Sequence, residues 1–212
     1  MTGPAASLYL ISPPIADAAA FAPRLEAALA GGGVACMRLR LAPSLAADAK
    51  AVRALAEIAQ RRDVALLVDD DPRLALRANA DGVHVAAPGS VLRDVIAALR
   101  PQKIVGAGNL RDRDAAMEAG EAGADYVMFG EPRPDGYAPP FERTLEQARW
   151  WTRIFNLPCV AYARSLDEAR GLAEAQSEFI AVDTLVWDSP GGPAVALSEL
   201  RKLLLTHPLV DA

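Results

Sequence analysis

Eight short apolar runs recur at near-regular intervals along the chain: LYLI (8–11), VACMRL (34–39), VALLV (64–68), GVHV (82–85), KIVGA (103–107), YVMF (126–129), CVAY (159–162) and FIAV (179–182). Each has the length and composition of a short buried strand. Between them lie Ala- and Leu-rich segments with apolar residues at helical spacing. SLAADAKAVRALAEIAQRR (44–62) is the clearest, and DRDAAMEAGEAG (112–123), ERTLEQARWWTRIF (142–155), SLDEARGLAEA (165–175) and PAVALSELRKLLL (193–205) follow. Strand–helix alternation with short connections requires parallel strands and right-handed crossovers, with helices outside. Eight such units predict a closed (β/α)8 barrel. An open doubly wound sheet usually has fewer strands, and the first turn, SPPIADAAAF, carries no GxGxxG for a dinucleotide.

The 212 residues suit one domain, 1–212, with no composition break or low-complexity stretch inside it. The net charge of −5 and the absence of a basic block argue against nucleic acid as a partner. No apolar run approaches the length of a membrane span, and the N-terminal segment lacks the basic region of a signal peptide. Cys36 and Cys159 stand alone in apolar runs, as buried thiols of a reducing compartment do, so a cytoplasmic location is expected.

In such barrels the chemistry sits at the C-terminal ends of the strands. The third strand ends in Asp69, Asp70 and Asp71. Asp71, followed by Pro72 and a helical pattern, has the signature of a helix N-cap. Asp69 and Asp70 then lie on the active face, where their charges need a counter-charge. In CMRLRL, Met37, Leu39 and Leu41 alternate with Arg38 and Arg40, so both arginines should point into the barrel near its mouth and face those carboxylates. The residues leave two readings open: a neutralising Arg–Asp lattice, or an anion site beside a metal site. His84, between Val83 and Val85, is expected to be packed and hydrogen-bonded. GEPRPDGYAPP (130–140) should be a long loop after the sixth strand.

Three blocks, EAALAGGGVACMRLRL, LLVDDDPRLALRANADGVHV and AGADYVMFGEPRP, resemble thiamine-phosphate synthase and its thiazole tautomerase relatives, and the likeness spans nearly the whole chain. The most specific part is a strand, then Asn-Asp-Asp, a short helix and Ala-Asp-Gly-hydrophobic-His. VDDD and ADGVH match it, with Asp69 in place of Asn. The resemblance implies a transferase that joins an aminopyrimidine diphosphate to a thiazole phosphate with Mg²⁺. Arg40 would match the family's strand-two arginine, with Arg38 beside it, and Asp69 and Asp70 its metal side.

Other positions depart from the family: Arg38 stands for a Gln, Ala42 for a Lys, Ala87 and Gly89 for a Gln and an Asp, and Gly108 for a Ser. PRPDGYAP lacks the Thr and Lys of the strand-six loop, and AYARS lacks the glycine pair after strand seven. Arg133 and Arg164 are candidate substitutes as phosphate donors, and Gly191–Gly192 in SPGGP a candidate N–H nest. The tautomerase's His is Leu110 here. Two functions follow: a divergent synthase, or a non-catalytic or altered-ligand paralogue. In both, the partner is a small phosphorylated or heterocyclic ligand, and a homo-oligomer is allowed. We further expect Arg38, alone or with Arg40, to take the place of Mg²⁺ on the carboxylates, because a guanidinium and a metal compete for the same oxygens.

Overall fold

A computed structural model describes residues 5–133 and 137–210. The strands are β1 (Ser7–Ile11), β2 (Val34–Leu39), β3 (Ala65–Asp69), β4 (Gly82–Val85), β5 (Ile104–Ala107), β6 (Tyr126–Phe129), β7 (Cys159–Tyr162) and β8 (Phe179–Val182). They pair in sequence order, all parallel, and β8 returns to β1, so the sheet closes. The expected (β/α)8 barrel is the observed fold. The helices are α1 (Ala18–Leu29), α2 (Pro43–Ala46), α3 (Ala49–Gln60), α4 (Pro72–Arg77), α5 (Ser90–Leu99), α6 (Arg113–Glu121), α7 (Phe141–Ile154), α8 (Leu166–Glu174), α9 (Thr184–Trp187) and α10 (Pro193–Leu205). None is long and apolar enough to cross a membrane.

Side-chain alternation along each strand divides the core in two. Outward residues such as Leu8, Leu10, Met37, Leu39, Leu66, Val68 and Val83 pack against the helices. Inward residues, Tyr9, Ile11, Cys36, Leu67, Tyr126, Met128, Val160, Tyr162 and Ala181, fill the barrel. Both cysteines are free and buried, and burial pushes their thiols well above the ordinary range.

Local chemistry sets the helix ends. The segment 44–62, expected as one helix, is two. Asp48 accepts from the N–H groups of Lys50 and Ala51 (3.1 and 3.0 Å), so it caps a new helix and the chain breaks before it. Asp71 caps α4 through Leu74 N–H at 2.8 Å, and α4 has only six residues. SPGGP forms the turn into α10, with Gly192 at its N-cap and φ of 82°.

At the N-terminal end of the barrel a second pattern holds the strands together. The Asp81 carboxylate accepts from Leu66 N–H at 2.7 Å, Asp125 from Val105 N–H at 2.8 Å, and Glu178 from Cys159 N–H at 2.8 Å. Each acidic residue precedes one strand and satisfies the first free amide of its neighbour.

Gly106 faces the barrel interior, where an added Cβ would stand 1.9 Å from the Tyr126 ring. Gly106→Ala should therefore overpack the interior and lower stability by about 1–3 kcal/mol, read by urea denaturation. A neutral substitution would mean that the Tyr126 ring is not fixed by its partners.

Candidate functional site

At the C-terminal mouth, β2 directs Arg38 inward, and only 8% of the residue stays exposed. A buried guanidinium is costly unless paired and hydrogen-bonded. Here Nε donates to Asp69 Oδ1 at 2.6 Å and Nη2 to Asp69 Oδ2 at 3.3 Å, a fork on one carboxylate. Nη1 donates to Oε2 of Glu131, just past β6 on the opposite side of the barrel. Glu131 is itself 7% exposed. It accepts on Oε2 from His84 (Nε2 at 3.0 Å) and on Oε1 from the Asn109 N–H. Burial works to raise the Glu131 carboxyl, but His84 and Arg38 outweigh it and hold the group below the usual carboxylate range. For Arg38 burial works to lower the guanidinium pKa, but Asp69 and Glu131 more than offset it and keep the group charged.

The network continues downward. His84 is fully buried, as the apolar residues around it imply, and its Nδ1 lies 2.7 Å from the Tyr126 hydroxyl. That hydroxyl meets Tyr9's at 2.8 Å. Burial raises both phenols well above their ordinary range, so they remain neutral donors. Gly108, where the resemblance implies Ser, is bare for a steric reason: a Cβ there would lie 2.3 Å from both Glu131 Oε1 and His84 Nε2.

The other site residues are arranged differently from expectation. Arg40 does not face Asp69 or Asp70. It turns to the β1–β8 side, where Nε donates to the Ser12 carbonyl at 2.8 Å and Nη2 lies 3.8 Å from Asp183. Asp183 also accepts from the Tyr162 hydroxyl at 2.5 Å. Closing the barrel supplies this partner, because β8 and β1 are adjacent in space and far apart in sequence. Asp70 does not join Asp69. Its backbone is left-handed (φ 51°), which swings the carboxylate to accept from Ala86 N–H at 2.9 Å. Arg164, just past β7, pairs with Glu168 in the first turn of α8 at 3.1 Å. Arg133 lies at the edge, its guanidinium 4.7 Å from the Tyr137 ring centre.

This donor set does not fit Mg²⁺, which asks for octahedral oxygen ligation with carboxylates free to bind it. Both Asp69 oxygens are on Arg38, and Asp70 is held by a backbone amide. Among the described residues no three His, Cys, Asp or Glu side chains are grouped to hold a metal.

Sequence reasoning missed Glu131, Tyr126, Tyr162 and Asp183. The signal available for Glu131 was Gly130. Its φ of 81° rotates the chain after β6, and a Cβ there would strike Thr144 at 2.4 Å.

Removing the Glu131 side chain leaves a buried cation with half its partners, so Glu131→Ala should cost about 3–5 kcal/mol in denaturant unfolding. Because the native carboxyl is depressed, its stabilisation is full above the unfolded carboxylate pKa of about 4.3 and is lost as pH falls towards the native value. The stability gap between the natural chain and Glu131→Gln should be constant above pH ~6 and shrink below pH ~4. A gap independent of pH would contradict the charged network.

A family model described as thiamine monophosphate synthase matches residues 8–184. A thiamine-phosphate synthase of Rhodospirillum centenum is 41% identical over 201 residues, covering 93% of this chain and 97% of that one. Another, of Hyphomonas neptunium, is 36% identical over 211 residues and 94% of each chain. Among solved structures, the thiamine phosphate pyrophosphorylase of Pyrococcus furiosus superposes with a TM-score of 0.76 at 25% identity, over 93% of this chain and 95% of that one. With the family model matched over most of its length and relatives 36–41% identical over 93–94% of it, the chain belongs to the thiamine monophosphate synthase family.

Proposed function

We propose that this chain is a divergent thiamine-phosphate synthase. It would join 4-amino-2-methyl-5-hydroxymethylpyrimidine diphosphate to thiazole phosphate at the barrel mouth, with turnover well below the family's norm. Family membership supports the reaction. The observation that carries the reduced rate is the Arg38 guanidinium, bonded on one side to Asp69 and on the other to Glu131.

In this reaction the C–O bond to diphosphate breaks, the pyrimidine methylene carries the resulting cation, and the thiazole nitrogen captures it. Negative charge grows on the departing diphosphate, and catalysis depends on donors already aimed at it. A guanidinium neutralised by two carboxylates contributes little there. Arg40 is the better cation for the diphosphate, because its side chain is 31% exposed and its one ion pair is long, at 3.8 Å. Arg38 then acts as a positioning residue that shapes the floor of the mouth, and Arg133 and Arg164 are the two proposed substrate-binding arginines. Arg164 would first have to leave Glu168. The expected partner is a small phosphorylated heterocycle in a cytoplasmic setting, without nucleic acid or membrane. Mg²⁺, which the family resemblance implies, has no ligand set at Asp69 and Asp70, so no step is assigned to it there.

The second reading is a non-catalytic or altered-ligand paralogue. It is favoured by the internal pairing of the buried network: among the described residues no buried side-chain nitrogen or oxygen lacks a partner.

A coupled assay with both substrates, run beside an active synthase, tests the proposal. We expect turnover at least ~100-fold lower, because each missing cationic or hydrogen-bond donor is worth about 10²–10³ in rate. A kcat within the common enzyme range of ~1–10³ s⁻¹ would refute the reduced rate. Tight substrate binding with no turnover would favour the paralogue. Where activity is found, Arg40→Ala should abolish it.

A calorimetric titration addresses the metal. The free protein should take up no Mg²⁺ at millimolar concentration, and Arg38→Gln should restore some binding by freeing Asp69. Tight Mg²⁺ binding to the natural chain would rule out the guanidinium in the metal's place.

A further inference from the structure

The outer face of α7 carries a charge pattern that its own helix does not explain. Glu142, Glu146, Arg149 and Arg153 follow one another at spacings of four, three and four residues, so they form one stripe along the helix. All four are exposed. They border a groove of about 650 Å³ that also takes in Trp150 and Ile154. Those two stand one turn apart beside the stripe, Trp150 half-buried and Ile154 62% exposed.

Within one chain this order carries a cost. The two acids stand at i,i+4, and so do the two arginines, and like charges at that spacing repel. Acid first and base last suits the helix macrodipole, which reaches Glu142 and Arg153 in the terminal turns. Glu146 and Arg149 lie mid-helix, outside its range. Neighbouring elements supply little. Glu146 pairs with Arg113 of α6 at 3.4 Å, but its side chain stays 75% exposed, and an ion pair that open contributes little. Among the described residues Glu142, Arg149 and Arg153 form no ion pair. The Arg113 guanidinium also lies over the Trp150 ring, 4.8 Å from its centre, and so supports one edge of the groove.

Turned end for end, the stripe is its own complement. A second copy of α7, packed antiparallel about a two-fold axis at the level between Gln147 and Ala148, brings Glu142 level with Arg153 of the second copy and Glu146 level with its Arg149. A two-fold axis keeps the stripe on the same side of the seam in both helices, so the opposite charges meet and each pair forms twice. Trp150 and Ile154 leave water at that seam. A parallel copy would set acid on acid and base on base, which selects the antiparallel arrangement.

We propose that α7 is the contact helix of a symmetric homodimer, with a second copy of this chain as the occupant of its outer face. Its 14 residues make a rod of about 20 Å. One helix face of that length buries less than the ~800 Å² a side of a standard interface, so the association is weak, with a dissociation constant in the micromolar range. The inference is independent of what the barrel mouth catalyses.

Sedimentation velocity on the full chain, from ~1 to ~500 μM, tests the proposal across that range. A monomer–dimer equilibrium is expected, and it should weaken as salt rises, because exposed pairs are screened. Arg149→Glu/Arg153→Glu sets acid against acid and should raise the dissociation constant about ten-fold or more; Glu142→Arg/Glu146→Arg should do the same with bases. One of these chains carries a wholly acidic stripe and the other a wholly basic one. Mixed, they should form a heterodimer where neither self-associates, which also shows that both are folded. Asp94→Arg, at an exposed position on α5, should leave the equilibrium unchanged. A monomer throughout the range, a dimer indifferent to both reversals, or a mixture no more associated than its components would overturn the proposal.

Discussion

A guanidinium inside a barrel is the constraint on which the rest of this mouth depends. Arg38 leaves water almost completely, and the desolvation of a cation that size costs several kcal/mol after relaxation. The cost is tolerated only because carboxylates arrive from two directions, Asp69 from the adjacent strand and Glu131 from across the barrel. Glu131 in turn needs its remaining lone pairs filled, which His84 and the Asn109 amide do. His84 then needs a partner for its second nitrogen, and Tyr126 provides it. The bare positions at Gly106 and Gly108 follow, because the Tyr126 ring and the Glu131–His84 pair occupy the space their side chains would take.

The mouth is consequently divided by charge into sectors. Over β2, β3 and β6 the positive charge is met by two carboxylates and closed off from solvent. Over β1 and β8, Arg40 is half-open and only loosely paired, and its neighbour Asp183 is shared with Tyr162 and the start of α9. At the β5–β6 rim Arg111, Arg133 and Arg143 line a small cavity and form no ion pair among the described residues. An anion approaching this end of the molecule meets a neutralised centre and a more positive margin, so the formal net charge of the chain says little about what the mouth attracts.

Much of this fold was legible in the amino-acid pattern. VACMRL, GVHV, YVMF, CVAY and FIAV coincide with strands to the residue, because short apolar runs bounded by Gly, Pro and Asp have few alternatives. The inward direction of Arg38 followed from strict alternation along β2. Legibility ended where alternation ended. Arg40 lies one residue past the strand, and its partner Asp183 comes from the far end of the chain. Asp70 departs from its neighbour through a left-handed backbone that an Asp can adopt but does not announce. Glu131 sits in a stretch whose Gly and Pro content signals only a loop. The positive φ of Gly130 carries it back into the barrel, and no periodicity records that. Asp48, read as part of a continuous helix, instead divides it, because a carboxylate that can cap competes with one that merely sits on a helix face.

The acidic residues at the opposite end have a consequence of a different kind. Asp81, Asp125 and Glu178 fasten β3 to the entry of β4, β5 to the entry of β6, and β7 to the entry of β8. The fastening skips every other boundary among these strands. Mechanically the barrel is therefore not a uniform ring of staves but a set of two-strand quarters, three of them sealed at the base by a carboxylate. Of the boundaries between these quarters, the one between β4 and β5 is crossed at that end by Lys103, whose Nζ donates to the Ala80 carbonyl at 2.7 Å. Arg38 sits on one side of such a boundary and bonds to Asp69 on the other, then reaches across to the quarter that carries Glu131. The cation at the top thus stitches together three units that the carboxylates at the bottom leave separate.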